Sequence, residues 1–166
     1  MRVSSMLVVI RGNSGSGKST IARMLQTRLG KLTAVLQQDH FRKVIYHERE
    51  QESLAHADLL EIAAIHCLNR GHNVILEGIF NASRYGGMLE RVAAHTDDAR
   101  FYSFDLAFEE TVNRHSTRPQ ASEFSDKDMR GWYHGWQPLP FVSEMRIVAD
   151  ETPEQIVERI LQRPTR

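Results

Sequence analysis

Apolar residues fall in short blocks along the chain, and the blocks alternate between two periods. Met6 to Ile10 (MLVVI) is an unbroken apolar run with the length of a strand buried on both faces of a parallel sheet. From Lys18 to Leu29 the apolar residues Ile21, Ala22, Leu25 and Leu29 return at helical spacing, and Gly30 stops the pattern. The alternation then repeats. Short strands are predicted over Thr33 to Gln37, Asn73 to Glu77, Arg100 to Asp105 and Met145 to Val148. Helices are predicted over Ser53 to Arg70, Met88 to His95, Glu109 to His115 and Pro153 to Leu161, the last with Thr152 as N-cap and Pro153 at the first helical position.

Strands that alternate with helices predict right-handed crossovers and an α/β fold: a five-stranded, mainly parallel sheet with helices on both faces. The length, 166 residues, suits one domain spanning residues 1–166. Ligands of such sheets gather at the carboxyl ends of the strands, which selects Gly12 to Ser19, Gln38 to Arg42, Glu77 to Phe80 and the segment after Asp105. From about residue 114 to 140 the chain is rich in Arg, Pro, Gly, Trp and charge, with at most a short helix near Asp126 to Tyr133. It reads as an Arg-rich lid.

Composition changes this picture little. Lys plus Arg equals Asp plus Glu at 21 each, so no global positive field recruits nucleic acid or anionic membrane. The single cysteine, Cys67, forms no intramolecular disulfide, and the first residues lack the apolar run of a signal peptide, which predicts a cytoplasmic protein with no membrane partner. Eight histidines show no HExxH spacing, which argues against a structural zinc site. Cys67 and the methionines are assigned to the core.

The chemistry begins at GNSGSGKST. Gly12, Gly17, Lys18 and Ser19 satisfy G-x-x-x-x-G-K-[ST] without a mismatch. In such a loop backbone N–H groups wrap a β-phosphate, which predicts nucleotide contacts along Gly12, Asn13, Ser14, Gly15, Ser16, Gly17, Lys18, Ser19 and Thr20. Lys18 bridges the β- and γ-phosphates, and the Ser19 hydroxyl meets Mg²⁺. After the second strand, Asp39 and Arg42 supply a carboxylate to orient and deprotonate an acceptor hydroxyl and a cation to neutralise the moving phosphoryl group. Asp39 also reads as an N-cap of a helix starting near Phe41, and Arg42 as a surface partner of Glu48. Glu77 stands where a carboxylate supports Mg²⁺, directly or through water, or braces the adjacent loop. Arg114 and Arg118, four apart, present two guanidiniums on one helical face that can close over a triphosphate, or simply a solvated basic face. Arg130 is a third lid candidate, and His40 a neighbour of Asp39. Asn81 to Gly87 and Trp132 to Trp136 are predicted to line the acceptor pocket.

These residues resemble the small P-loop kinase group that includes chloramphenicol phosphotransferase, zeta toxins, the tunicamycin-resistance protein and the kinase domain of polynucleotide kinase. The resemblance rests on GNSGSGKST, QDHFR after the second strand, VILEG on the third and RHSTR at the lid. It implies a P-loop kinase fold and transfer of the γ-phosphoryl group of ATP to a hydroxyl with Mg²⁺. It further implies Asp39 as general base, Arg42 on the acceptor side, Arg114 with Arg118 as the lid pair, and adenine near Asp150 to Pro153. An N-K-x-D guanine motif is absent, which favours ATP. The leading expectation is therefore a kinase for a small-molecule hydroxyl. QDHFRKVIYHERE also resembles the corresponding part of polynucleotide kinases, so a nucleic acid 5′-hydroxyl is the alternative acceptor. A nucleotide-dependent regulatory or toxin-like module is a third reading.

Overall fold

The computed structural model describes residues 4–49, 53–117, 125–133 and 135–162. Five strands, β1 (Met6–Arg11), β2 (Thr33–Gln37), β3 (Asn73–Gly78), β4 (Asp98–Phe104) and β5 (Met145–Ile147), form one sheet in the order β2-β3-β1-β4-β5. Every ladder in it is parallel, where the sequence led us to expect a mainly parallel sheet. The central strand β1 is buried along its whole length, which is why its sequence is a continuous apolar run.

Alternate residues of the strands feed two separate cores. Leu7, Val9, Val74, Leu76 and Phe101 face helices α3 (Ala55–Asn69) and α4 (Ala82–Ala93), meeting Leu60, Ala64, Leu89 and Val92. Met6, Val8, Ile10, Ile75, Tyr102 and Ile147 face helices α1 (Lys18–Leu29) and α7 (Pro153–Gln162), meeting Ile21, Leu25, Ile156 and Ile160. This is the period-two pattern of a sheet covered on both sides. Two further helices, α5 (Phe108–Ser116) and α6 (Asp126–Trp132), follow β4. After β2 comes one helical turn, α2 (Gln38–His40), that widens into a π-turn over Phe41–Ile45.

Several predicted boundaries move. The fourth helix starts at Ala82 rather than Met88, because the Asn81 side chain accepts the Ser83 amide at 3.0 Å and caps it six residues earlier. The third strand runs one residue further, to Gly78, and the fourth begins at Asp98 and ends at Phe104. The helix after β2 starts at Gln38 with Gln37 in the N-cap position, so Asp39 lies inside its first turn and is not its N-cap. Thr152 caps α7 as expected, and Gln155 returns the bond to the Thr152 amide. Met145 departs from the core assignment: it is exposed on the edge strand β5.

One interaction was not visible in the sequence pattern. Arg11, the last residue of β1, is buried with Glu144, and its Nη1 donates to both carboxylate oxygens, at 2.8 and 2.7 Å. The guanidinium also donates to the carbonyls of Phe80 and Gln137, while the Glu144 carboxylate accepts the Leu139 amide. The pair thus joins the start of the glycine loop to the loop after β3 and to the segment leading into β5. Replacing Arg11 with Met leaves the Glu144 carboxylate buried without its countercharge, so urea unfolding should show a loss of about 3–5 kcal/mol. Adding Glu144→Gln to that variant should recover part of the loss.

Candidate active site

The glycine loop connects the end of β1, the fully buried central strand, to α1. Gly17 sits at the N-cap of α1 with φ 108°, and Gly15 has φ 79°, backbone that glycine adopts without strain. Gly15 also leaves no room for a side chain: a Cβ there would lie 2.5 Å from the Thr111 carbonyl oxygen of α5 and 2.9 Å from Met129 Cε of α6. The loop is therefore enclosed by α5 and α6 as well as by the sheet. Lys18 is buried, and its ammonium donates to the Asn13 carbonyl at 2.9 Å and reaches Ser16 Oγ at 3.5 Å, which keeps the positive charge inside the loop. The first helical turn of α1 turns its N–H groups and the partial positive charge of the helix N-terminus toward this concavity, chemistry suited to an anion.

Glu77 completes the floor. Strand register sets it level with Ile10 of β1 and Gln37 of β2. Its buried carboxylate accepts the Ser19 hydroxyl at 2.7 Å and the Gln37 side-chain amide at 2.9 Å, both on Oε1. A hydroxyl and a carboxylate side by side form a hard oxygen pair suited to Mg²⁺, which takes one or two protein oxygens and completes its shell with water and phosphate. Among the described residues no group of three or more His, Cys, Asp or Glu is placed to hold a metal ion.

Two residues beyond β2, Asp39 is half-exposed, with Arg42 at 3.3 Å from one carboxylate oxygen and Lys43 at 3.0 Å from the other. Partial burial works against its charge, but the Lys43 ammonium, then Arg42, then the loop lysine Lys18 outweigh it and hold the carboxyl below its ordinary value of 3.8. Asp39 is thus ionised at neutral pH and stands within the field of Lys18. Arg42 also donates to the Glu48 carbonyl at 3.2 Å, so the contact with Glu48 is to its backbone.

From α5, Arg114 donates to the Ser16 carbonyl of the glycine loop at 2.9 Å and to the Ala149 carbonyl after β5 at 3.1 Å, and pairs with Glu110. It bridges the loop to the Asp150–Pro153 region. Arg118 lies outside the described residues, beyond the end of α5. Arg130 stacks over the Phe108 ring at 4.2 Å, and Trp136 lies under Arg146 at 4.3 Å, with Arg146 also paired to Asp105. His40 is exposed. Within Asn81 to Gly87, Tyr85 and Gly86 face the interior.

That turn inward reveals a polar network whose centre, His56, the sequence analysis did not single out: Gln38, Glu48, His56 and Tyr85, linked by contacts of 2.9 to 3.5 Å. One signal did exist. His56 interrupts the apolar stripe of α3 next to Ala57 and four residues before Leu60, and a polar side chain on a buried stripe must find partners.

Among solved structures the chain is similar to the Mycobacterium tuberculosis APS kinase CysC, in complex with AMPPNP and APS (TM-score 0.72, 19% identity, 95% of this chain and 96% of that one). It is similar to a gluconokinase from Sinorhizobium meliloti 1021 (TM-score 0.64, 14% identity, 97% and 91%). It is also similar to a chain of the Pnkp1/Rnl/Hen1 complex (TM-score 0.57, 25% identity), covering 75% of this chain and 44% of that one. None of the curated proteins matches the sequence. The architecture is that of the small P-loop kinases, as the glycine loop and the alternating pattern led us to expect. Residues 7–134, most of the chain, match the AAA domain family, and the protein belongs to it.

Proposed function

We propose that the protein is an ATP-dependent kinase that transfers the γ-phosphoryl group to a hydroxyl of a small molecule such as a nucleoside, a sugar or an antibiotic. The observation that carries this reading is the placement of an ionised, half-exposed Asp39 within the field of Lys18 and in contact with Arg42. A nucleotide-dependent switch needs no such carboxylate on the acceptor side.

In this reading the loop amides and Lys18 hold the β- and γ-phosphates, and Ser19 with Glu77 would hold Mg²⁺, which would supply neutralising charge to the phosphates when bound. Asp39 accepts a hydrogen bond from the acceptor hydroxyl and aims its oxygen at the γ-phosphorus. The new O–P bond forms as the bond to the β–γ bridging oxygen breaks, ADP leaves, and the hydroxyl proton passes to Asp39 late, which suits a carboxylate of low basicity. The pairs with Arg42 and Lys43 occupy only part of the carboxylate's lone-pair capacity. Arg42 then lies beside the moving phosphoryl group, and residues 114–140 act as the lid that excludes water, with Arg114 at its base and Arg118 beyond it.

A nucleic acid 5′-hydroxyl is the second reading, favoured by the 25% identity to the chain of the Pnkp1/Rnl/Hen1 complex. Mass spectrometry of a reaction with Mg·ATP and two competing pools, 5′-hydroxyl oligonucleotides and hydroxylated small molecules, separates them. Phosphorylated small molecules support the first reading, phosphorylated oligonucleotides with steeply salt-dependent binding support the second, and no transfer to either refutes both.

Asp39→Asn should lower transfer by about 100- to 10,000-fold while leaving the affinity for Mg·AMPPNP unchanged; normal turnover would remove Asp39 from its role. The pH profile follows from the sign of its shift. A carboxyl depressed in the folded state keeps its charge, and the stability that charge brings, above 3.8, and loses both only as pH falls through its lower folded value. Turnover should therefore show no acid limb from Asp39 between about pH 5 and 8. Gly15→Ala drives a methyl group against the Thr111 carbonyl, and calorimetry should show Mg·AMPPNP binding weakened by at least about tenfold.

A further inference from the structure

The acceptor side rests on a segment with little hold of its own. After β2 the chain makes one helical turn and a π-turn, Val44 and Ile45 are exposed, and only Gln38 and Phe41 are buried between residues 38 and 49. Its internal bonds include Tyr46 N–H to the Phe41 carbonyl at 3.0 Å and Glu48 N–H to the Arg42 carbonyl at 2.9 Å. Yet Asp39 and Arg42, which must meet an acceptor within a fraction of an ångström, both stand on it.

The two ends of this segment converge on His56, which is fully buried on α3. At one end the Gln38 side-chain amide donates to the Tyr85 hydroxyl at 3.0 Å, and that hydroxyl lies 2.9 Å from His56 Nε2. At the other end Glu48 Oε2 lies 2.9 Å from His56 Nδ1, and Ser53 donates to Glu48 Oε1 at 2.6 Å. The Glu48 carbonyl in turn receives Arg42. The Ser53 hydroxyl first, and His56 after it, keep the Glu48 carboxyl below its ordinary value, so it is an acceptor. One proton order satisfies the three main contacts. Gln38 N–H donates to Tyr85, Tyr85 O–H donates to His56 Nε2, and His56 Nδ1–H donates to the Glu48 carboxylate. A buried chain of this kind has a single low-energy arrangement, because each reversed dipole strands a neighbour.

We infer that His56 is a positioning residue for phosphoryl transfer: through Tyr85 and Gln38 on one ring nitrogen and Glu48 on the other, it clamps the segment that presents Asp39 and Arg42. It touches neither nucleotide nor acceptor. Its effect on turnover rests on the kinase reading, whereas the clamp itself does not.

The test uses Tyr85→Phe, which keeps the ring packed on Phe80 and removes one hydroxyl, and His56→Asn, which keeps only the Glu48 half. Glu48→Gln, at the partly exposed rim, is a third variant that retains the fold should the buried ones lose it. Hydrogen exchange at the Tyr46 and Glu48 amides should accelerate by about tenfold or more as the segment opens. With Mg·ATP and water as acceptor, the kcat for phosphate release should fall by roughly ten- to a hundredfold while the KM for ATP and the binding of Mg·AMPPNP stay unchanged. Unchanged exchange overturns the clamp, and accelerated exchange with normal kcat overturns the positioning role. A parent protein that binds no Mg·AMPPNP refutes the kinase reading instead, and exchange at the two amides still decides the clamp.

Discussion

The whole site hangs on one buried carboxylate. Glu77 accepts Ser19 from the first turn of α1 and Gln37 from the end of β2 on the same oxygen. A carboxylate taken out of water without such donors would cost several kcal/mol, so its burial requires both partners to be where they are. Ser19 belongs to the phosphate loop, and Gln37 stands two residues before Asp39. On the kinase reading, the donor side and the acceptor side are therefore measured from a common point. Strand register guarantees it, since a slip of one residue between β2 and β3 would send the side chain of either Gln37 or Glu77 to the opposite face of the sheet.

Around that point the two halves of the site are built differently. The phosphate loop is held by packing: β1 contributes to both cores, α1 is pressed against α7 and the sheet, and Gly15 is closed in by α5 and α6. Arg114 adds a polar tie from α5 to the loop carbonyl of Ser16 and onward to Ala149. The acceptor side is held by hydrogen bonds running through Gln38, Tyr85, His56 and Glu48. Packing tolerates little change of shape, whereas an irregular turn on a polar frame can be rebuilt residue by residue. On the kinase reading, nucleotide handling thus rests on the packed half and the choice of acceptor on the other.

The parts legible in the sequence are those governed by local rules. The glycine loop, the five strands and α1 follow from an uninterrupted apolar run, a helical stripe and a phosphate-binding spacing, and β2 and α1 occupy the residues the pattern selects. The start of α4 was hidden because Ser83, Arg84, Gly86 and Gly87 dilute its apolar stripe, and the Asn81 cap that defines it resembles any turn asparagine. Arg11 with Glu144, separated by 133 positions, and the ring around His56 were hidden for a deeper reason. Partners that meet only in the fold leave no periodic trace, and the sole clue is a polar residue where the pattern demands an apolar one. Asp39 and Arg42 were legible as chemistry, but their mutual contact and the helix start at Gln38 needed coordinates.

The contact between Asp39 and Arg42 bears on how such a site can turn over. A pair whose carboxylate is half-exposed contributes at most about 1 kcal/mol, and this one is long at 3.3 Å. A phosphoryl oxygen offers the guanidinium a shorter, more strongly charged partner. On the kinase reading Arg42 can therefore shift toward the transferring group at little cost, while its bond to the Glu48 carbonyl keeps the side chain from swinging away. Lys43 remains on Asp39 and preserves its charge as Arg42 departs. The arrangement stores no strong bond that the reaction would have to break, and it leaves Asp39 ionised until the acceptor proton arrives.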